Sequence, residues 1–282
     1  MPISPSSSSQ AARAALAGRL GELMRDAGLK GGELSALCGW HPAKTSRILN
    51  AKTPPSDSDI RAWCQACGAD DQAADLIASN RAADSLYVEW RRLTRTGLRR
   101  AQESRVPLYT RTRLFRAYSS RVVPGALQTA PYAEALLRTV ADFRQTPDDV
   151  ADAVAARLAR SSVVFEGRRR FVAVIEESVL RYRIGDATAM AGQLSHLLTV
   201  MSRPSVSLGI IPHSAARTMW PVETFNIFDE QQAAVELLSA QVTVTAPSDV
   251  ALYVEAFTRF AGLAVHGAAA RSLVTSAIDA LE

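Results

Sequence analysis

Through the first 70 positions apolar residues recur every three or four places, the spacing of one buried helix face. Leu16, Leu20, Leu23, Met24 and Ala27 form such a stripe and predict an amphipathic helix over 11–27, ended by Gly28. Two shorter patterns follow over 31–50. Leu34, Leu37 and Cys38 mark one side of a first short helix, and Ile48 and Leu49 anchor a second. Gly39 between them suits a tight turn, because a residue without Cβ tolerates positive φ cheaply. Pro54 stops the second helix, since the residue before a proline disfavours the α region. Asp57 or Ser58 caps a fourth helix running to Cys67, and Gly68 ends it.

From 70 to about 100 the pattern predicts one long helix. Leu76, Ala83 and Trp90, with Leu86 and Leu93, approximate a heptad seam too short to establish a coiled coil. A boundary is expected over 102–107. Beyond it the pattern becomes mixed. Strands are predicted near 114–118, 171–176, 206–211, 223–228, 233–238 and 241–244, β-branched and bounded by turn residues. Helices are predicted over 129–137, 148–165, 187–202, 247–263 and 268–281. The expected fold class is therefore α+β: an all-α helix-turn-helix domain over 11–69, a connecting helix over 70–105, then an α+β domain over 106–282 with a small, mostly antiparallel sheet. The Ser- and Pro-rich stretch 1–10 reads as a disordered tail without the features of a signal peptide. No apolar run is long enough to span a bilayer, which points to a cytoplasmic protein.

Charge sharpens this division. Residues 1–105 hold 15 Lys and Arg against 11 Asp and Glu, a net of +4, whereas residues 106–282 hold 17 of each. The excess belongs to the N-terminal part alone, and all three lysines, Lys30, Lys44 and Lys52, lie in or beside the 31–50 stretch. Such asymmetry suggests a polyanion partner for that end. The exposed side of its second helix would carry His41, Ala43, Lys44, Ser46 and Arg47. A short polar-basic helix on an apolar brace is what the major groove of DNA accepts.

With those residues in view, 34–55 resembles the helix-turn-helix of lambda-repressor-like (XRE-type) regulators, through Gly39, Ser46-Arg47-Ile48, Lys52 and Pro55-Ser56. Pro42, Thr45, Leu49 and Ala51 depart from that pattern: Gln or Ser is frequent at the first, Val or Ile at the second, and Glu and Gly at the last two. The resemblance implies that His41, Ala43, Lys44 and Arg47 read bases in a double-stranded operator. Arg19, Arg25, Lys30 and Lys52 are the candidates for phosphate contacts, which add affinity without sequence choice. Regulators of this class bind two half-sites, so a homodimer is expected.

The second half is similar to the C-terminal domain of WhiJ-like regulators. The matching residues are Val123-Pro-Gly-Ala-Leu-Gln-Thr-Ala-Pro-Tyr-Ala-Glu-Ala-Leu136, then Glu177, Leu180-Arg181, Gly185, Gln193-Leu194 and Leu197. Ala234-Val-Glu236 departs from it, where a Tyr often precedes the Glu. The likeness implies an actinobacterial transcription regulator, often encoded beside a small partner protein, and a domain without assigned chemistry.

No nucleophile with a base stands out among His41, His196, His213 and His266, and no phosphate-cradling loop or G-x-S-x-G is present. Glu176 and Glu177 are neighbours that a strand sends to opposite faces. Cys64 and Cys67 fall with Ile60 on one helix face, so Trp63-Cys64-Gln-Ala-Cys67 reads as core rather than as a metal or redox motif. The expectation is a protein that is not an enzyme and uses no cofactor or metal. A ligand pocket is the stronger expectation, and the 213–221 loop with Arg217, Met219 and Trp220 reads either as its lid or rim or as a surface loop whose Trp plugs the core. The reading that results is a dimeric, sequence-specific transcriptional regulator whose second domain dimerises and senses a small molecule or a protein. The alternative is an antitoxin-like module that chiefly binds a small partner protein and uses DNA binding for autoregulation.

Overall fold

The computed structural model describes residues 5–82 and 87–281, which form two compact units. The first unit runs to Tyr87 with a short return at 243–249, and the second holds most of the remainder.

The first unit is helical. Helix α1 spans Pro5–Asp26, α2 Gly31–Leu37, α3 Pro42–Leu49, α4 Asp57–Cys67 and α5 Ala73–Ala82. The part of 1–10 that is described, from Pro5 onward, continues α1 rather than forming a tail. The core is built from Leu16, Leu20 and Leu23 of α1, Leu34 of α2, Ile48 of α3, Ile60, Trp63 and Cys64 of α4, and Leu76 and Ile77 of α5. One expected core residue is outside: Leu37 is 62% exposed. The reason is angular. Leu34, Ser35 and Cys38 share the inward arc of α2, and at about 100° per residue Leu37 falls well to one side of it. The buried Trp63 indole donates to the Leu20 carbonyl at 3.0 Å and pins α4 to α1. Ser56 caps α4 through a reciprocal pair with Asp59, one residue ahead of the expected caps.

The single long helix expected over 70–105 does not form. A 3-10 turn at Asp70–Gln72 precedes α5; then come strand β1 at Tyr87–Glu89, helix α6 at Trp90–Leu93 and helix α7 at Leu98–Glu103. Of the proposed heptad seam, Ala83 and Leu86 lie outside the described residues, Leu76 joins the first core, and Trp90 is buried in the second unit, where its indole donates to the Leu237 carbonyl. Gly97 breaks the helical path at φ +107, and the Asp149 carboxylate receives the Leu98 and Arg99 N–H groups at the start of α7. A Cβ on Gly97 would stand 2.1 Å from that carboxylate. The tertiary carboxylate overrides a sequence that is otherwise helix-compatible.

The second unit continues with α8 (Val106–Arg111), β2 (Leu114–Ser119), α9 (Ala130–Arg144), α10 (Val150–Ser162), β3 (Arg170–Glu176), α11 (Ala187–Val200) and β4 (Val206–Ile211). Strands β5 (Phe225–Phe228), β6 (Gln232–Glu236) and β7 (Ala240–Val244) follow, then α12 (Pro247–Leu263) and α13 (Gly267–Asp279). The class is α+β, as the pattern predicts. The sheet is larger than expected and mixed, in the order β1-β7-β6-β5-β2-β3-β4. β2 pairs parallel with β3, and β3 with β4, while β5 is antiparallel to β2 and β6. Parallel pairing needs long crossovers, which α9–α10 and α11 supply.

Register places Phe115, Phe171 and Val206 in one row, and Ala117, Ala173 and Leu208 in the next. These rows share a core with Met190, Leu194 and Leu197 of α11 and Val274 of α13. On the opposite face Tyr118 stacks on Phe260 of α12, with ring centroids 4.0 Å apart. The 123–136 stretch locks on itself: Tyr132 Oη accepts from Val123 N–H, and Gln128 Nε2 donates to the Val123 carbonyl. Buried Gln193 then joins this stretch to α11. Its amide oxygen accepts from Thr129 N–H at 2.8 Å, and its NH₂ donates to the Leu127 carbonyl at 2.8 Å.

Candidate nucleic-acid interface

Helices α2 and α3 meet across Gly39, whose φ of +70° supplies the turn. Three polar side chains lock them. Trp40 Nε1 donates to Thr45 Oγ1 at 2.8 Å, Thr45 and Ser35 hydroxyls are 2.6 Å apart, and Ser35 Oγ donates to the Gly31 carbonyl at 2.6 Å. An indole only donates and a carbonyl only accepts, so the proton order runs from Trp40 through Thr45 and Ser35 to Gly31. Thr45 and Ser35 are buried and fully occupied in this chain. A Val or Ile at position 45 would break it, which accounts for the departure from the regulator pattern.

The departure at Pro42 has a similar local cause. His41 is the N-cap of α3, with Nδ1 accepting from Ala43 N–H at 3.1 Å. Pro42 occupies the first helical turn, where its missing N–H costs nothing.

The four candidate base readers are therefore differently placed. Ala43 and Arg47 are exposed on α3. Among the described residues the Arg47 guanidinium has no side-chain partner, although the Arg47 carbonyl closes the helix by accepting from Lys52 and Thr53 N–H. His41 is exposed with one ring nitrogen committed to the cap. Lys44 is held: its ammonium meets Asp59 Oδ1 at 2.5 Å and lies 4.5 Å from the Trp40 ring centroid. Burial pushes the Asp59 carboxyl up, but hydrogen bonds from Lys44 and Ser56 outweigh it and bring the group below its ordinary range. Lys44 thus braces α3 against α4.

The candidate phosphate contacts divide the same way. Arg19 pairs with Glu22 and donates to Gln72, and Arg25 Nε donates to the Gly21 carbonyl. Lys30 and Lys52 are exposed at the two ends of the motif. Asp59, Trp40 and Thr45 were not legible as parts of this site; only the unusual Thr signals a polar partner. Burial raises the thiols of Cys38, Cys64 and Cys67, with Cys64 at about 11, so all three are protonated at neutral pH.

In the second unit the residues expected to rim a pocket lie at the end of β3. Arg217 grips the buried Glu176 carboxylate with both guanidinium NH₂ groups, one of them at 2.8 Å to Oε1. Tyr118 Oη donates to the same Oε1 at 2.8 Å. Glu177 instead accepts from His213 N–H. Trp220 is 72% exposed, and none of Arg217, Met219 and Trp220 lines the cavity of about 210 Å³ beside β2. The cavity lies between β2 and helices α7, α9 and α10; the 213–221 loop is an ion-pair clasp on the strand end.

Residues 15–77 match a family described as a helix-turn-helix domain. Residues 108–276, more than half of the chain, match a family described as a domain of unknown function, DUF5753. The chain belongs to the DUF5753 family. Its DUF5753 domain takes in strands β2–β7 and the 123–136 stretch, and the cavity is lined both from it and from residues 90–105 ahead of it. No curated protein matches the chain. Among solved structures, the archaeal chromatin protein TrmBL2, described as showing a novel mode of DNA binding, is similar over 85% of this chain and 88% of its own, at 12% identity and a TM-score of 0.32. So distant a likeness bears on neither fold nor function. Among the described residues no helix is long and apolar enough to cross a membrane.

Proposed function

We propose that this protein is a sequence-specific, dimeric DNA-binding transcriptional regulator, cytoplasmic and not an enzyme, whose DUF5753 domain dimerises and senses a small ligand or protein partner. The observation that carries the reading is Arg47: an exposed guanidinium on α3, within a matched helix-turn-helix domain, on a helix fixed by Lys44–Asp59 and the Trp40–Thr45–Ser35 chain. A rigid helix bearing an arginine fork suits guanine O6 and N7. Ala43 beside it suits a thymine methyl, and His41 borders the same surface. Lys30 and Lys52 at the ends of the motif are positioned for phosphates, with Arg19 and Arg25 in reserve once their local partners are exchanged. The net charge of +4 on residues 1–105 supplies the long-range attraction.

This reading places the protein with the XRE-type, WhiJ-like regulators of actinobacteria. Selection of bound duplexes from a random pool by the full chain tests it. The expected product is a pair of inverted half-sites about 10 bp apart or a multiple of that. Retention of the pool without enrichment, together with a monomeric mass in sedimentation at micromolar concentration, would refute it.

A further inference from the structure

The cavity beside β2, walled by the DUF5753 domain and by residues 90–105, has an uneven charge. Its charged lining residues are four arginines, Arg105, Arg144, Arg157 and Arg160, and one glutamate, Glu236. Only Arg105 contacts that glutamate, at 2.9 Å, and it also donates to Gln241 at 2.7 Å. Arg157 donates to the neutral amides of Gln102 and Gln128, at 3.2 and 2.6 Å. Arg160 is 4% exposed and donates to the Gln102 side chain and carbonyl. Its Nε is buried with no hydrogen-bond partner, and its guanidinium lies 4.8 Å from the Tyr109 ring centroid. Arg144 caps the Trp90 ring at 4.3 Å.

Buried cations are ordinarily paired with anions, because an uncompensated buried charge is costly. Of the four only Arg160 is fully buried, and around it and the half-buried Arg157 amides and an aromatic face stand where carboxylates would stand. Burial lowers Arg157, to about 10, and lowers Arg160, and the crowding of like charges acts in the same direction on both. Glu236 is half exposed, and Arg105 and its neighbours hold its carboxyl below the usual range, so this one acid stays ionised against four arginines. The rest of the wall mixes apolar side chains, among them Leu98, Val123, Leu137 and Phe171, with polar ones such as Gln102, Gln128 and Asn226. The volume of about 210 Å³ is smaller than the roughly 300–1,000 Å³ of drug-sized sites.

We infer that this cavity is a binding site for a small anion, a carboxylate or phosphate seated on Arg157 and Arg160 with any organic part against the apolar side chains. The inference deepens the sensing half of the regulator reading, for which it names the ligand class. Guanidinium forks take either anion in two parallel hydrogen bonds, and the vacant Arg160 Nε supplies a further donor. Glu236 then acts as a resident competitor: it occupies Arg105 and repels the incoming anion.

The test uses full-length protein and two probes, inorganic phosphate and benzoate, with benzamide as the uncharged control. Ionic strength is held constant with chloride. The expected result is a saturable rise in Tm of about 5–10 °C at a hundredfold excess over Kd for at least one anion, and none for benzamide. A rise with phosphate alone identifies a phosphate site; a rise with benzoate identifies an organic carboxylate site. Arg157→Gln should weaken binding at least tenfold, and Glu236→Gln should tighten it. The gain separates binding from a structural role, under which neutralising Glu236 would only loosen Arg105. If neither anion shifts the wild type or Glu236→Gln, the inference is wrong, whichever way Arg157→Gln folds. Duplex affinity measured on the same preparations reports on the regulator reading separately, because neither anion probe requires DNA.

Discussion

Thr45 Oγ1 sits 2.8 Å from the Trp40 indole nitrogen and 2.6 Å from Ser35 Oγ, and so holds the turn of the helix-turn-helix and both flanking helices through one hydroxyl. The consequence is a directional test. Thr45→Val keeps the shape but removes an acceptor from Trp40 and a donor to Ser35. Leaving a buried polar group without its partner costs about 1–3 kcal/mol. The variant should lose about that much stability in urea, followed by Trp fluorescence. Ser35→Ala with Thr45→Val should cost less than the sum of the two single changes, because the chain is then removed as a unit.

Asp59 gives the first unit an acid limit. Its carboxyl is depressed by Lys44 and Ser56, so its contribution is present above the unfolded-state value near 3.8 and is lost as pH falls through the lower folded value. Melting temperature followed from pH 6 to pH 2 should fall in that window. Asp59→Asn should be less stable at neutral pH and should show a shallower fall in acid. An identical acid limb in the variant would remove Asp59 from the account.

The clasp at the end of β3 predicts a local opening. Arg217→Ala leaves the Glu176 carboxylate, 5% exposed, with Tyr118 as its remaining partner among those described. Breaking a buried ion pair from one side costs about 3–5 kcal/mol. The lower end is expected, near 3 kcal/mol, since Tyr118 still donates. Amide hydrogen exchange across the 213–221 loop should be faster in the variant than in the parent. Glu176→Gln added to Arg217→Ala should recover part of the stability, because the orphaned charge is gone.

The legible parts of this protein are those with a period. Helical stripes in α1 and α4 are visible because one face must be buried, whereas β4 is visible as a short apolar run buried on both faces. Strand direction was not visible: nothing in Leu114–Ser119 or Arg170–Glu176 says that they run parallel, which the α9–α10 crossover decides. The region 70–105 misled because helix propensity is local, whereas Gly97 and the distant Asp149 act through tertiary contact. In the site, exposed Ala43 and Arg47 could be read from helical geometry. The tethering of Lys44 could not, since its partner lies fifteen residues on, in another helix. The arginine cavity was hidden for the same reason: Arg105, Arg157 and Glu236 are far apart in the chain, and single arginines in a sequence read as solvated surface.

The central claim is that α3 reads DNA through Arg47 on a fixed scaffold. The most direct measurement is the Kd of the full chain for its selected duplex, compared between the parent, Arg47→Ala and Arg47→Lys at one salt concentration. Arg47→Ala should lose about 1–3 kcal/mol of binding free energy and relax selectivity at one base position, with Lys recovering only part of it. Unchanged affinity and unchanged selectivity in Arg47→Ala would contradict the account.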